Sequence, residues 1–192
     1  IGVWCTQGPT YCSACNNELY ATYYGVPNNS YGSQEAYDGT AYITVFGYQG
    51  PPYPSDHYPC IRFDTLLEAN VEYCLSIFMN LAGVSAYKNQ SYSALFYGSH
   101  PSACNGLDTM IWRDLAQINF DITDVDSTNW TELSGSFIAN GNEEYLVMGN
   151  LTVDHADTVY IGPSPANFPW AVYFLDMVSL VRCAEIGISE TG

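Results

Sequence analysis

Three aspartates fall within six residues in "DITDVDSTN" (residues 121–129), at Asp121, Asp124 and Asp126. Such a density of carboxylate oxygen is what a calcium loop requires. The stretch lacks the glycine and closing glutamate of an EF-hand, so a solvated acidic turn is the competing reading. Glu143 and Glu144, or Asp121 with Asp124, could in principle offer the two carboxylates that a glycosidase holds across a cleft. Neighbours along an extended strand point to opposite faces, which weakens the Glu143/Glu144 pair. His57, His100 and His155 stand near Asp56, Ser99 and Asp154, but a catalytic histidine needs a positioned nucleophile. No Gly-x-Ser-x-Gly elbow and no HExxH occurs. These residues describe a chain that is not an enzyme. Trp112, Arg113 and Asp114 set a ring beside a forked donor and a carboxylate, and Tyr53 and Tyr58 lie in a proline-rich loop. Rings flanked by polar groups suit a sugar or a protein partner, so these five are the candidate ligand-binding residues. The alternative is that the loops carrying them pack over the domain.

Cysteine chemistry sets the compartment. The seven cysteines are Cys5, Cys12, Cys15, Cys60, Cys74, Cys104 and Cys183. All are disulfide candidates in an extracellular setting, and three bridges would leave one thiol over. The connectivity stays open. "CSAC" has the spacing of half a zinc site, but no matching second pair follows. Asn28, Asn89, Asn129 and Asn150 each begin an Asn-x-Ser/Thr triplet, the acceptor pattern for N-glycans.

Charge excludes whole classes of partner. Four basic residues face 20 acidic ones, for a formal net charge of −16. Nucleic-acid binding draws on clustered Lys and Arg, and anionic membranes are disfavoured for the same reason. No apolar run approaches the roughly 20 residues of a membrane-spanning helix. The first residue is Ile1, with no charged-then-apolar leader, which leads to the expectation that a segment before it has been removed.

The elements that must position these residues read as strands. In "VEYCLSIFMNLAG" (residues 71–83), Val71, Tyr73, Leu75, Ile77, Met79 and Leu81 share one phase, with Glu72, Ser76 and Asn80 opposite. "TAYITVF" (40–46), "CIRFDTL" (60–66), "YSALFYG" (92–98) and "INFDI" (118–122) are further strand candidates. Leu133, Gly135, Phe137 and Ala139 form one arm of a predicted hairpin, "NGN" (140–142) its corner, and "EEYLVMGNL" (143–151) a buried second arm. "WAVYFLDMVSLVR" (170–182) is a long closing strand. A short helix is expected over 107–117, where Asp108 can cap. At 192 residues the chain reads as one domain over 1–192. It has a loop-rich, cysteine-containing start at 1–39 and an extended tail at 183–192. Many short strands with Gly- and Pro-rich connections imply an all-β, two-sheet antiparallel sandwich, braced by disulfides.

Four segments resemble one family in order and spacing. "VPNNSYGSQEAYDGTAYITVFGY" is similar to its Val-Pro-Asn-Asn loop, Gly-x-Gln corner and Gly-x-Ala-Tyr strand start. "NWTELSGSFIANGNEEYLVMGNL" is similar to its Trp-x-x-apolar-x-Gly-x-Phe-x-Ala-x-Gly-x-Glu run. "VYFLDMVSL" resembles its Tyr-Tyr-x-Asp-Asp-Val closing strand, and "TYCSACN" its Cys-Asn segment near the start. The family is the galactose-binding-like, carbohydrate-binding-module-like jelly roll of secreted and cell-surface proteins in Bacteroidota. The resemblance implies a non-catalytic extracellular module for binding or adhesion, with a glycan or cell-surface polymer as partner. It also implies that Asp176, matching the first aspartate of the closing strand, could ligate a structural calcium, although Met177 replaces the second. Bacterial O-glycosylation at Asp-Ser/Thr-apolar would fall on Thr65, Thr109 and Thr158, with Ser127 in a looser match. The family's usual opening strand is missing before "IGVWC". The neighbouring edge would then invite self-pairing, and a filament or sheath subunit is the alternative function.

Overall fold

Alternating side chains, one phase apolar and the other polar, produce strands with one buried face. The computed structural model describes residues 10–13, 23–50, 57–98, 115–151 and 156–185. Within them the strands run in order as β1 (Thr10–Ser13), β2 (Asn28–Asn29), β3 (Gly32–Ser33), β4 (Ala41–Gln49), β5 (Cys60–Arg62), β6 (Glu72–Leu81) and β7 (Tyr87–Asn89). There follow β8 (Ser91–Tyr97), β9 (Ile118–Asp121), β10 (Thr131–Ile138), β11 (Tyr145–Gly149), β12 (Thr158–Tyr160) and β13 (Trp170–Arg182). Five strands form one antiparallel sheet in the order β1-β4-β13-β6-β10, and four form another in the order β5-β11-β8-β9. Between the two sheets lies a core containing Val45, Leu75, Ile77, Met79, Phe96, Phe120, Leu146 and Tyr173. The molecule is an all-β sandwich, as the alternation implied. No described helix is long and apolar enough to cross a membrane.

Each sheet is also partly covered on its outer face. Segment 23–36 lays Tyr24, Val26, Tyr31 and Ala36 over Tyr42, Phe46, Val172 and Phe174. Cys60, Leu95, Val147 and Leu151 form a smaller cluster beyond the four-stranded sheet. These outer clusters explain why the middles of β11 and β13 are apolar without interruption: both of their faces are buried.

The predicted hairpin at 140–142 is not formed. β10 pairs with β6 in one sheet, whereas β11 pairs with β5 and β8 in the other. The corner therefore carries the chain across the sandwich. β11 needs cover on both faces, which only a central position supplies, while β10 keeps a polar outer phase that suits an edge. Gly141 turns the corner at φ 89°. Glu143, 2% exposed, secures it: one carboxylate oxygen accepts from Asn140 N–H at 2.9 Å, the other from Gly141 and Asn142 N–H at 3.0 and 3.1 Å.

One further expectation is corrected. Strand "CIRFDTL" ends at Arg62, because its partner β11 begins at Tyr145 and gives way to the corner. The edge beside β4 is occupied by the chain's own β1, with Thr10 opposite Thr44 and Ser13 opposite Ala41. One disulfide is present among the described residues. Cys74 bridges Cys183, whereas Cys12 and Cys60 are buried thiols. Cys5, Cys15 and Cys104 lie outside the described residues, as does most of the expected helix at 107–117 and the tail beyond Glu185.

Candidate functional site

The outer face of the five-stranded sheet is apolar and covered at one end, open at the other. The change occurs where β13 bulges. Its register with β6 shifts between Asp176 and Ser179, and Met177 takes φ 47°. Beyond the bulge, Ser179 lies opposite Ser76, which lies opposite Ser134 on β10. With strands about 4.8 Å apart, these hydroxyl positions span roughly 10 Å across the sheet. The next row along places Ser136 beside Cys74 and Val181. Ser76, Ser134, Ser136, Ser179, Glu132 and Cys74 contribute to the lining of a trough of about 550 Å³.

An aromatic platform closes the covered end. Phe78, two residues along β6 from Ser76, lies between Glu132 and Asp176 in register. Tyr37 stacks on Phe78 with ring centroids 3.6 Å apart and planes 16° apart, and Trp130 meets Tyr37 edge-on at 6.4 Å. Tyr37 stays 48% exposed. The Asp176 carboxylate fixes the Tyr37 backbone: Oδ2 accepts from Tyr37 N–H at 2.9 Å and Asp38 N–H at 3.2 Å, and Oδ1 from Met177 N–H at 2.8 Å. Trp130 Nε1–H donates to the Glu35 carbonyl at 2.9 Å. At the far end, Ser136 Oγ donates to Glu72 at 2.7 Å. The arrangement offers hydroxyl donors and acceptors, acceptor-only carboxylates and an exposed ring face.

The residues proposed from sequence are scattered by comparison. Trp112, Arg113, Asp114 and Tyr53 lie outside the described residues. Tyr58 sits on the other sheet, its ring against Gly149 and its hydroxyl donating to the Asn150 carbonyl at 3.4 Å. Asp121 accepts from Thr123 N–H and Oγ1, and Asp126 from Thr128 and Asn129 N–H. These bonds hold both carboxyls below the usual range. Lys88 donates to the Thr123 carbonyl, close enough to feel Asp124, Asp126 and Asp121. Among the described residues no three His, Cys, Asp or Glu side chains converge to hold a metal. Glu143 holds the corner, and Glu144 accepts from Arg62 Nε at 2.8 Å; neither faces the trough.

His57 packs edge-on against Phe46 at 4.6 Å. Burial pushes its pKa down to about 4. Burial also raises the Cys12 and Cys60 thiols. Of the glycan candidates, Asn28, Asn129, Thr65 and Ser127 are exposed. Asn89 and Asn150 are sealed, with their amides donating to Thr158 Oγ1 and Asp157. Neither has room for a glycan. Thr158 is half-buried in that same contact, and Thr109 lies outside the described residues.

The serine row and the Tyr37 platform went unread in the sequence. Ser76, Ser134 and Ser136 each occupy the polar phase of a strand, a signal that was present, whereas Ser179 stands among the apolar residues of β13. What was missing was which strands are neighbours.

No family model matches the chain, and no curated protein matches it. Among solved structures it is similar to the CBM22-1 and GH10 modules of Clostridium thermocellum xylanase 10B complexed with xylohexaose, at 16% identity and a TM-score of 0.47 over 94% of this chain. The chain spans 26% of that protein's length. It is also similar to the CBM22-1 xylan-binding domain of Paenibacillus barcinonensis Xyn10C, at 14% identity and a TM-score of 0.42, covering 94% of this chain and 95% of that one. A third is the K1 cleaved adhesin domain of Lys-gingipain from Porphyromonas gingivalis W83, at 13% identity and a TM-score of 0.46, covering 91% and 83%. Likeness of this degree extends no further than the β-sandwich.

Proposed function

We propose that the chain is a non-catalytic extracellular binding module whose outer trough takes a carbohydrate. One observation carries the reading: a row of serine hydroxyls across three strands runs up to an exposed tyrosine ring backed by Phe78 and flanked by Trp130. A sugar presents hydroxyls at its rim and C–H groups on its ring face, and the two halves of the trough match those two surfaces. The wall carboxylates Glu132 and Glu72 supply acceptors for sugar hydroxyls. The Cys74–Cys183 bridge, at the margin of the trough, suits an oxidising compartment. A glycan array followed by titration calorimetry tests the reading. Glycans that bind the native protein should lose roughly tenfold in affinity with Tyr37→Ala, about 1.4 kcal/mol. Ser76→Ala should weaken binding less, by the net worth of one neutral hydrogen bond, about 1 kcal/mol. Binding unchanged in both variants would remove the trough from consideration.

A further inference from the structure

We infer that the trough selects uncharged glycan chains and rejects polyanionic ones such as uronates or sulfated sugars. The inference rests on the trough being the glycan site and adds the chemical class of its ligand. Carboxylates stand at both ends: Glu132 and Asp176 flank Phe78 under the ring platform, and Glu72 holds Ser136 at the other end. Recognition of a sugar carboxylate or sulfate uses a forked guanidinium, an ammonium or a cluster of backbone N–H groups. Among the described residues the cations are committed elsewhere. Arg62 bonds Glu144, Arg182 bonds Glu68, and Lys88 bonds the Thr123 carbonyl. The backbone N–H groups near the platform, at Tyr37, Asp38 and Met177, are already taken by Asp176.

Geometry and charge act in the same direction. A carboxylate accepts hydrogen bonds and donates none, so Glu132 and Glu72 can be satisfied by sugar hydroxyls but not by another carboxylate. A uronate seated over the serine row would lie within a few ångströms of a like charge, inside the Debye length of about 10 Å at 0.1 M salt. The whole-chain net charge of −16 lowers the encounter rate of a polyanion further.

The test uses pairs of oligosaccharides that differ only in charge: each neutral member and the same chain oxidised at C6 to the uronate. Affinities are measured by calorimetry on the native protein, on Glu132→Gln and on Tyr37→Ala, at 20 and 500 mM NaCl. The expected result is at least a tenfold preference for the neutral member in low salt. That gap should shrink several-fold in high salt and in Glu132→Gln. Equal or tighter binding of the uronate in low salt overturns the inference, as does a gap that neither salt nor Glu132→Gln alters. Failure of every pair to bind, or binding indifferent to Tyr37→Ala, overturns the trough itself as the site, and so is told apart from a failure of charge selection.

Discussion

Replacing Glu143 by alanine should cost more stability than any other single carboxylate change at the β10–β11 corner. Its side chain is buried, and its two oxygens take three consecutive backbone N–H groups at 2.9, 3.0 and 3.1 Å. Alanine leaves Asn140, Gly141 and Asn142 without that partner in a partly enclosed corner, where water restores only some of the bonds. Each lost bond to a charged acceptor is worth about 1.5 kcal/mol, and unsatisfied buried donors about 1–3 kcal/mol. The sum, discounted for partial rehydration, is about 3–5 kcal/mol. For a chain of this size that corresponds to a fall in Tm of roughly 10 °C. Urea unfolding followed by tryptophan fluorescence, with a thermal scan by circular dichroism, measures both. The midpoint should fall with an unchanged m-value. Glu144→Ala is the internal control, because that side chain meets an exposed Arg62 and should alter stability little. If Glu143→Ala unfolds within 0.5 kcal/mol of the native protein, as judged against the ±10% precision of such extrapolations, then the carboxylate does not hold the crossover.

Acid should act through His57. Its pKa is held down to about 4 by burial, whereas the unfolded value is about 6.5, so the unfolded chain binds the extra proton between those values. Stability therefore falls as pH drops through that window, by up to about 3 kcal/mol. His57→Gln should flatten the acid limb of the stability curve, and superimposable limbs would refute the account. The Cys74–Cys183 bridge joins residues 109 apart. Its double serine variant should lose about 4 kcal/mol in denaturant titrations if closure of the unfolded chain is its main effect. A β-carbon added at Gly135 would lie 2.5 Å from Ile118 Cγ2 of the facing sheet. Gly135→Ala should cost about 1–3 kcal/mol by overpacking, and pairing it with Ile118→Leu, which lacks the β-branch methyl, should recover part of that loss in a double-mutant cycle.

The sandwich was legible in the sequence because its signal is local. In β6, Tyr73, Leu75, Ile77 and Met79 alternate with half-exposed Cys74, Ser76 and Phe78; any extended chain with that order has a wet side and a dry one. The continuous apolar middle of β13 likewise announced burial on both faces. Strand neighbours were not legible, since pairing depends on residues far apart in the chain. "NGN" licenses a change of direction equally well within one sheet or between two, and only the demand of β11 for cover on both faces sends it across. The same limit hid the trough. Ser76, Ser134 and Ser179 become one surface only when β13 inserts between β4 and β6 and its bulge turns Asp176 toward the loop that carries Tyr37. Side-chain phase belongs to each segment alone, whereas proximity arises from how the whole chain packs its apolar faces together.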